Sequence, residues 1–351
     1  MKVLISGCGG LIGSEAASFY LKQNAQVVGI DNNQRKYFFG ISGDTSGNIT
    51  TLLKNKNFEH IKLDIRDRAG IDLLYREKGP FDLIIHTAAQ PSHDWAKNEP
   101  YTDFDINAVG TFNMLESFRL NSPDGVFIFT STNKVYGDRP NLARLIEKNN
   151  RYDLAAKQAE KGISKNGINE DMSIDQSTHS LFGASKVSAD VTAQEYGKYF
   201  HLKVGIFRGG CLTGPQHSAV PLHGFLSYII DCAVNQRPYT IIGYKGKQVR
   251  DQIHSKDVIS AFHQSYLHPK YGEVYNIGGG KENSASILEV IQILKDDYGY
   301  DLNINYLNDP RVGDHICYFT NLSKLKNDFP EWSIQWSLPK IIKEIIERKS
   351  Q

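Results

Sequence analysis

Short runs of β-branched and aliphatic residues, separated by longer amphipathic stretches, set the pattern of the N-terminal half of the chain. The apolar runs at 2–6, 26–30, 60–63, 82–86, 126–130 and 203–207 predict strands. Between them, apolar positions at helical spacing predict helices over 14–23, 68–77, 101–120 and 184–199. Strands that are apolar on both faces and alternate with helices imply an α/β fold, a Rossmann-type doubly wound parallel sheet with helices on each side. Past about residue 208 the pattern changes to Gly-, Pro- and His-rich segments mixed with short helices. The expected organisation is a first domain over 1–207 and a smaller C-terminal substrate-binding region over 208–351, partly interleaved with it. Residues 139–176 are polar, Lys/Asn-rich and without a strand pattern. They read as a surface insertion, or alternatively as an element covering a substrate.

Charge and cysteine content narrow the partners. Lys+Arg at 40 against Asp+Glu at 39 leaves a net charge of +1, and no basic block suggests a nucleic-acid or membrane-surface partner. The four cysteines form no C-x-x-C pair, so no metal site is expected. No apolar stretch approaches membrane-spanning length and no signal-peptide pattern precedes the first strand, so a cytoplasmic protein is expected.

Candidate chemistry begins at the first strand–helix junction. Gly7-x-x-Gly10-x-x-Gly13 follows the first strand and opens the first helix, with Leu11 and Ile12 inside the turn. Glycines at this spacing permit the tight turn and the close approach of backbone to a pyrophosphate, and the helix N-terminus supplies N–H donors. The second strand ends at Asp31, followed by Asn32. A carboxylate there bonds the adenosine ribose hydroxyls and repels a 2′-phosphate, which favours NAD over NADP; Arg35 nearby is the one feature that could accommodate that phosphate. Asp64-Ile65 ends the third strand, where such domains meet the adenine, and Thr87-Ala88-Ala89 ends the fourth, where small residues let the backbone lie against a cofactor.

With these residues in place, the chain resembles the extended short-chain dehydrogenase/reductase superfamily, in its nucleotide-sugar epimerase/dehydratase branch. The resemblance also rests on His86, Asn107, Thr130-Ser131-Thr132, Val135-Tyr136-Gly137, Lys186, Gly214-Pro215, Arg250-Asp251 and Tyr275-Asn276-Ile277-Gly278-Gly279. Within the branch, Ser131–Asp138 and Gly246–Asp251 look most like CDP-tyvelose (CDP-paratose) 2-epimerases. The resemblance implies an NAD-dependent enzyme that oxidises a carbon of a nucleotide-diphosphate sugar, lets the ketone present its other face, and returns the hydride. A homodimer is implied at family level, through the 101–120 and 184–199 helices.

Residue by residue, the resemblance implies that Thr132 bonds the reacting sugar oxygen and that Lys186 bonds the nicotinamide ribose, with Asn107 holding the helix beside it. It implies that Gln90, His93, Asn133 and Lys134 border the sugar. Arg250 and Arg311 would clamp the diphosphate with their planar forks. Three departures matter. Phe182 stands four residues before Lys186, where the superfamily places the tyrosine that handles the hydroxyl proton, and a phenyl ring has no hydroxyl. Gly209–Thr213 occupies the place where many relatives carry an Asn that touches the sugar phosphate. Asn133-Lys134 follows Thr132 where 4,6-dehydratases carry Asp-Glu, and an amide with an ammonium cannot supply both the acid and the base of a dehydration. Three accounts of the missing tyrosine stay open: another base (His179, or His93, Asp94 or Lys134), a substitution that keeps the aromatic packing and traps substrate, or ligand binding without turnover.

Overall fold

The computed structural model describes residues 1–216, 224–309 and 313–350. Strands β1 (Lys2–Ser6), β2 (Gln26–Ile30), β3 (Phe58–Ile61), β4 (Leu83–His86) and β5 (Val126–Thr132) pair in parallel. They lie in a seven-stranded sheet in the order Tyr271–Ile277, Lys203–Gly209, β5, β4, β1, β2, β3. The order reverses at β1, so the carboxyl ends of β1 and β4 flank the crevice where such sheets bind ligands. Parallel pairing buries both faces: Val3, Leu4, Ile5, Leu83, Ile84 and Ile85 are fully buried, which is why these strands read as continuous apolar runs.

The predicted helices are present at Leu11–Lys22, Arg68–Lys78 and Leu181–Lys198. The 101–120 pattern resolves into Pro100–Phe104, one π-helical turn at Asp105–Val109, and Gly110–Asn121. Several elements lie outside the expected set, among them the helices Gln34–Phe39 and Ser46–Leu52. Tyr271–Ile277 adds a seventh strand. The 139–176 segment, expected without strands, contains two short antiparallel hairpins, Leu145–Glu147 with Tyr152–Leu154 and Ile163–Ser164 with Gly167–Ile168. Local turn chemistry makes the second: the Ser164 hydroxyl accepts from Asn166 N (3.1 Å) and donates to Gly167 O (3.2 Å), and Gly167 holds φ +114°.

The chain divides into two compact units that interleave along the sequence. The first comprises Met1–Val135, Leu181–Arg208 and Val258–Tyr275; the second comprises Tyr136–Ser180, Gly209–Asp257 and Asn276–Gln351. The linear reading put its boundary at 207 with 139–176 inserted in the first domain; here 136–180 belong to the second unit and Val258–Tyr275 to the first. The first unit's core gathers Leu4, Ile84, Phe127, Phe129, Met114 and Ile206. The second has its own core, where Ile229, Ile230, Val290, Leu294, Ile341 and Ile342 are fully buried. Its sheet joins Cys211–Thr213, Val249–His254 and Ser284–Ser286, with Cys317–Tyr318 paired to Val249–His254. The 139–176 segment is tied into this second unit: Tyr152 N donates to Lys247 O, and Ile168 N donates to Phe319 O.

Candidate active site

The glycine turn has the backbone that only glycine accepts. Gly7 adopts φ +74°, and a Cβ at Gly13 would lie 2.1 Å from Gly7 O, so any side chain there must push the turn off the helix. Gly10 N closes the turn onto Gly7 O at 3.0 Å. At the end of β2, the Asp31 carboxylate accepts from Gly9 N (2.9 Å) and Asn33 N (2.7 Å), which holds it beside the turn. Next to it a cavity of about 440 Å³ is lined by Asp31, Asn32, Asn33, Tyr37, His60 and Lys62 among others. Asn32 Nδ2 donates to Asp64 Oδ2 (2.8 Å), and Arg66 pairs with the same carboxylate at 2.7 Å. Ile65 is buried, and its carbonyl accepts from Asn113 Nδ2 at 2.9 Å. Thr87 Oγ1 donates to Ser6 O (2.7 Å), which fixes the turn of Thr87, Ala88 and Ala89 against β1; Ala88 N would lie 2.8 Å from a Cβ at Gly7. Arg35, the feature that favoured a 2′-phosphate, lies with its guanidinium 4.9 Å from the Phe39 ring centre. A turn that admits no side chain, a carboxylate at the ribose position and an open cavity beside it fit NAD.

Below this turn, polar side chains run through the first unit's interior. His86 is fully buried, with Nδ1 2.5 Å from Ser6 Oγ and Nε2 2.9 Å from Thr111 Oγ1. Burial, with the nearby Lys186 ammonium adding to it, lowers its pKa to about 3 and keeps the ring neutral. Asp103 is buried too and accepts from Gln90 Nε2 (2.6 Å), Asn107 Nδ2 (3.1 Å) and Ser185 Oγ (2.6 Å). Burial raises its pKa, against the opposing bonds from Ser185 and Gln90 and the charge of Lys186. Asn107 sits in the π-helical turn and bridges three segments: it accepts from Gln90 N (3.0 Å) and donates to Gln90 O and Ser185 Oγ (both 3.1 Å). π-helical turns are frequent at functional sites, and this one carries Asn107.

Lys186 is 3% exposed. Its ammonium donates to Thr130 O (2.9 Å) and lies 4.4 Å from the Phe129 ring centre. Burial pulls its pKa down to about 8, partly opposed by the charges of Asp190 and Asp103. Asp190, one turn further along the same helix, accepts from Ser131 Oγ (2.5 Å) and pairs with Arg208 at 2.8 Å. That anchor holds β5 where it delivers Thr132, whose partly exposed hydroxyl accepts from Lys134 N (3.2 Å). Asn133 is buried and Lys134 partly exposed.

Phe182 is buried on the first turn of the Lys186 helix. Its ring meets the His93 imidazole at 5.0 Å between centres, tilted 64° in an edge contact. The His93–Asn98 helix that carries this histidine is capped by Ser92, whose hydroxyl accepts from Trp95 N at 3.3 Å. Gln90 clamps the same loop, accepting from Ser92 N (2.5 Å) and donating to Ser92 O (2.8 Å).

The first unit therefore brings together all the expected cofactor residues with Gln90, His93, Thr132, Asn133, Lys134, Phe182 and Lys186. His179 and Arg250 belong to the second unit, where Arg250 pairs with Asp314 (2.5 Å) and donates to Val249 O (2.8 Å). Arg311 lies outside the described residues. Sequence reasoning missed Asp103, Ser185, Asp190 and Arg208. For Asp103 and Asp190 a signal was present as spacing: Asp103 and Asn107 are four residues apart, about one helical turn, as are Lys186 and Asp190.

Comparison with known proteins shows the family. The family model described as "NAD dependent epimerase/dehydratase family" matches residues 3–278. The CDP-paratose 2-epimerase of Salmonella typhi is 32% identical over 348 residues, covering 97% of this chain and 95% of that protein. The UDP-glucuronate 4-epimerase of Thermodesulfobacterium geofontis is 26% identical, covering 98% and 97%. Among solved structures, a tyrosine-to-phenylalanine mutant of the Bacillus cereus UDP-glucuronic acid 4-epimerase, in complex with UDP-4-deoxy-4-fluoro-glucuronic acid and NAD, superposes with a TM-score of 0.80 at 27% identity, covering 100% of this chain and 99% of that one. The chain belongs to the NAD-dependent epimerase/dehydratase family.

Proposed function

We propose that this enzyme is a CDP-sugar 2-epimerase of the CDP-paratose type, acting on a nucleotide-diphosphate sugar in the cytoplasm. The observation that carries the reading is the 32% identity to the Salmonella typhi CDP-paratose 2-epimerase over nearly the full length of both chains. The Asn133-Lys134 pair after Thr132 supports epimerisation over dehydration, because neither side chain is a carboxyl group that could expel a sugar hydroxyl. When bound, NAD supplies the hydride acceptor and donor. The chain's own residues do the rest. Gly7–Gly13 and Asp31 bind the dinucleotide, and Lys186 places a positive charge beside the nicotinamide ribose. Thr132 bonds the reacting oxygen, Gln90, Asn133 and Lys134 border the sugar, and Arg250 with Arg311 holds the diphosphate.

The substrate assignment is tested by NMR of CDP-paratose incubated with the enzyme and NAD in deuterated water. The expected outcome is the C2 epimer, with protium retained at C2 because the hydride returns to the carbon it left. Conversion of UDP-sugars alone would overturn the CDP assignment. A second reading, binding without turnover, draws on Phe182; NAD and CDP-sugar binding with no conversion of any sugar nucleotide would favour it. A homodimer is part of the proposal. Phe104, Phe112, Leu181 and Val191, on the Pro100–Phe104, Gly110–Asn121 and Leu181–Lys198 helices, are 40–50% exposed, an apolar face suited to a second copy. Light scattering should give twice the 39.5 kDa chain mass.

A further inference from the structure

Phe182 leaves the hydroxyl proton of the substrate without its usual acceptor, and the side chain that meets its ring is an imidazole. We propose that His93 is the acid–base group of this site, taking the proton that Phe182 has no oxygen to accept. The inference rests on the epimerase reading above. Imidazole is the side chain whose ordinary titration lies nearest neutrality, so it can both accept and return a proton at working pH.

The placement of His93 is built rather than incidental. Ser92 caps its helix and Gln90 grips both backbone groups of Ser92. Gln90 also donates to Asp103, which accepts from Ser185, the residue immediately before Lys186. The loop that bears His93 is thus tied through buried side chains to the helix that bears Phe182 and Lys186. The other candidates fit less well. Lys186 Nζ is committed to Thr130 O and the Phe129 face. Asp94 lies on the exposed side of the turn. Charged groups on the helices packed against the His93 helix are Asp103 on Pro100–Phe104 and Lys186, Asp190, Glu195 and Lys198 on Leu181–Lys198, with Asp94 and Lys97 on its own helix.

The step balances without a further reagent. The carbinol O–H proton passes to the unprotonated His93 ring as the hydride, with its electron pair, leaves the same carbon for the nicotinamide, and a ketone remains. After the sugar turns over, the hydride returns to the opposite face of the carbonyl carbon and the proton to its oxygen, so nothing is consumed.

The test compares the parent enzyme with His93→Gln, Phe182→Tyr and the double variant. Nicotinamide reduction is followed in single turnover across pH, and NAD and CDP affinities are measured by calorimetry. His93→Gln should slow reduction by about 10²–10⁴-fold, the usual loss of a positioned acid–base group, and remove the pH dependence on the acid side. Both affinities should stay within about threefold, and Phe182→Tyr in the His93→Gln background should recover at least part of the rate. Reduction by His93→Gln at the parental rate overturns the inference. So does an equal loss of rate and affinity that Phe182→Tyr does not rescue, since His93 would then be a packing residue. If the parent binds NAD but reduces it with no CDP-sugar, the epimerase reading itself fails and takes this inference with it. That outcome is distinct, because failure of the inference alone leaves the parent active.

Discussion

Lys186→Met is expected to make the cofactor-free protein more stable while abolishing hydride transfer. The ammonium is almost fully buried, and burial lowers its pKa from the ordinary 10.5 to about 8. Each pH unit of such a difference corresponds to about 1.4 kcal/mol, so holding the charge in the folded state costs roughly 3 kcal/mol. Methionine keeps the apolar stem but removes the donor to Thr130 O, which returns about 1 kcal/mol of that cost. A net stabilisation of about 2 kcal/mol remains.

The pH dependence fixes the sign. Below about pH 8 both folded and unfolded chains carry the charge, and the full cost is present. From pH 8 to 10.5 the folded chain binds fewer protons than the unfolded one, so this group's contribution to stability rises with pH and its burden is gone above 10.5. Urea unfolding without added cofactor, followed by circular dichroism at pH 7 and pH 10, should show the variant ahead at pH 7 and the gap nearly closed at pH 10. A parent that equals or exceeds Lys186→Met at pH 7 would refute the reasoning. It would mean that Asp103 and Asp190 more than offset the burial of the ammonium.

Three further outcomes follow from single contacts. Gly13→Ala places a Cβ 2.1 Å from Gly7 O and should weaken NAD binding by at least tenfold in calorimetry, with an unchanged affinity speaking against the turn as the phosphate site. Asp190→Ala removes the ion-pair partner of the buried Arg208 guanidinium and should cost about 3–5 kcal/mol in urea unfolding, whereas Asp190→Ala combined with Arg208→Met should recover much of it. Arg250→Ala should weaken CDP-sugar binding by about 1.5–3 kcal/mol with NAD affinity unchanged; equal loss of both would make Arg250 a structural partner of Asp314.

Six strands of the seven-stranded sheet were legible because they are buried on both faces, which forces continuous apolar runs such as Val3-Leu4-Ile5 and Leu83-Ile84-Ile85. The glycine turn and Asp31 were legible for a different reason: backbone contact demands particular residues at particular spacing, so Gly7, Gly13 and Asp31 mark themselves. Partial interleaving of the units was expected, but which segments cross over was not legible. The helix Ser255–Leu267 and the strand Tyr271–Ile277 carry ordinary apolar patterns that do not say which core they join. The hairpins within 139–176 escaped because their pairs are only two or three residues long and are specified by turn geometry and by bonds to Lys247 and Phe319, far away in sequence.

The buried polar network was the hardest part to read, and its chemistry explains both its position and its obscurity. Asp103, Asn107, Gln90 and Ser185 each satisfy one another, so none needs a sequence neighbour to justify it. In one-dimensional patterning they look like polar interruptions of a helix face. In the folded chain the Asp103 carboxylate partly opposes the cost of burying the Lys186 ammonium, and Gln90 holds the loop before His93, whose ring meets Phe182. A protein that needed only a stable core would fill these positions with apolar side chains, since a buried charge is weak evidence for stability. Phe182 sharpens the point. Exchanging a phenol for a phenyl removes a polar atom from the one region where polar atoms are otherwise concentrated and satisfied, while the ring still packs. An enzyme that had abandoned chemistry would have little physical reason to keep Lys186 charged and costly beside it. The inference that His93 handles the proton accounts for a buried, costly Lys186 beside a ring without a hydroxyl.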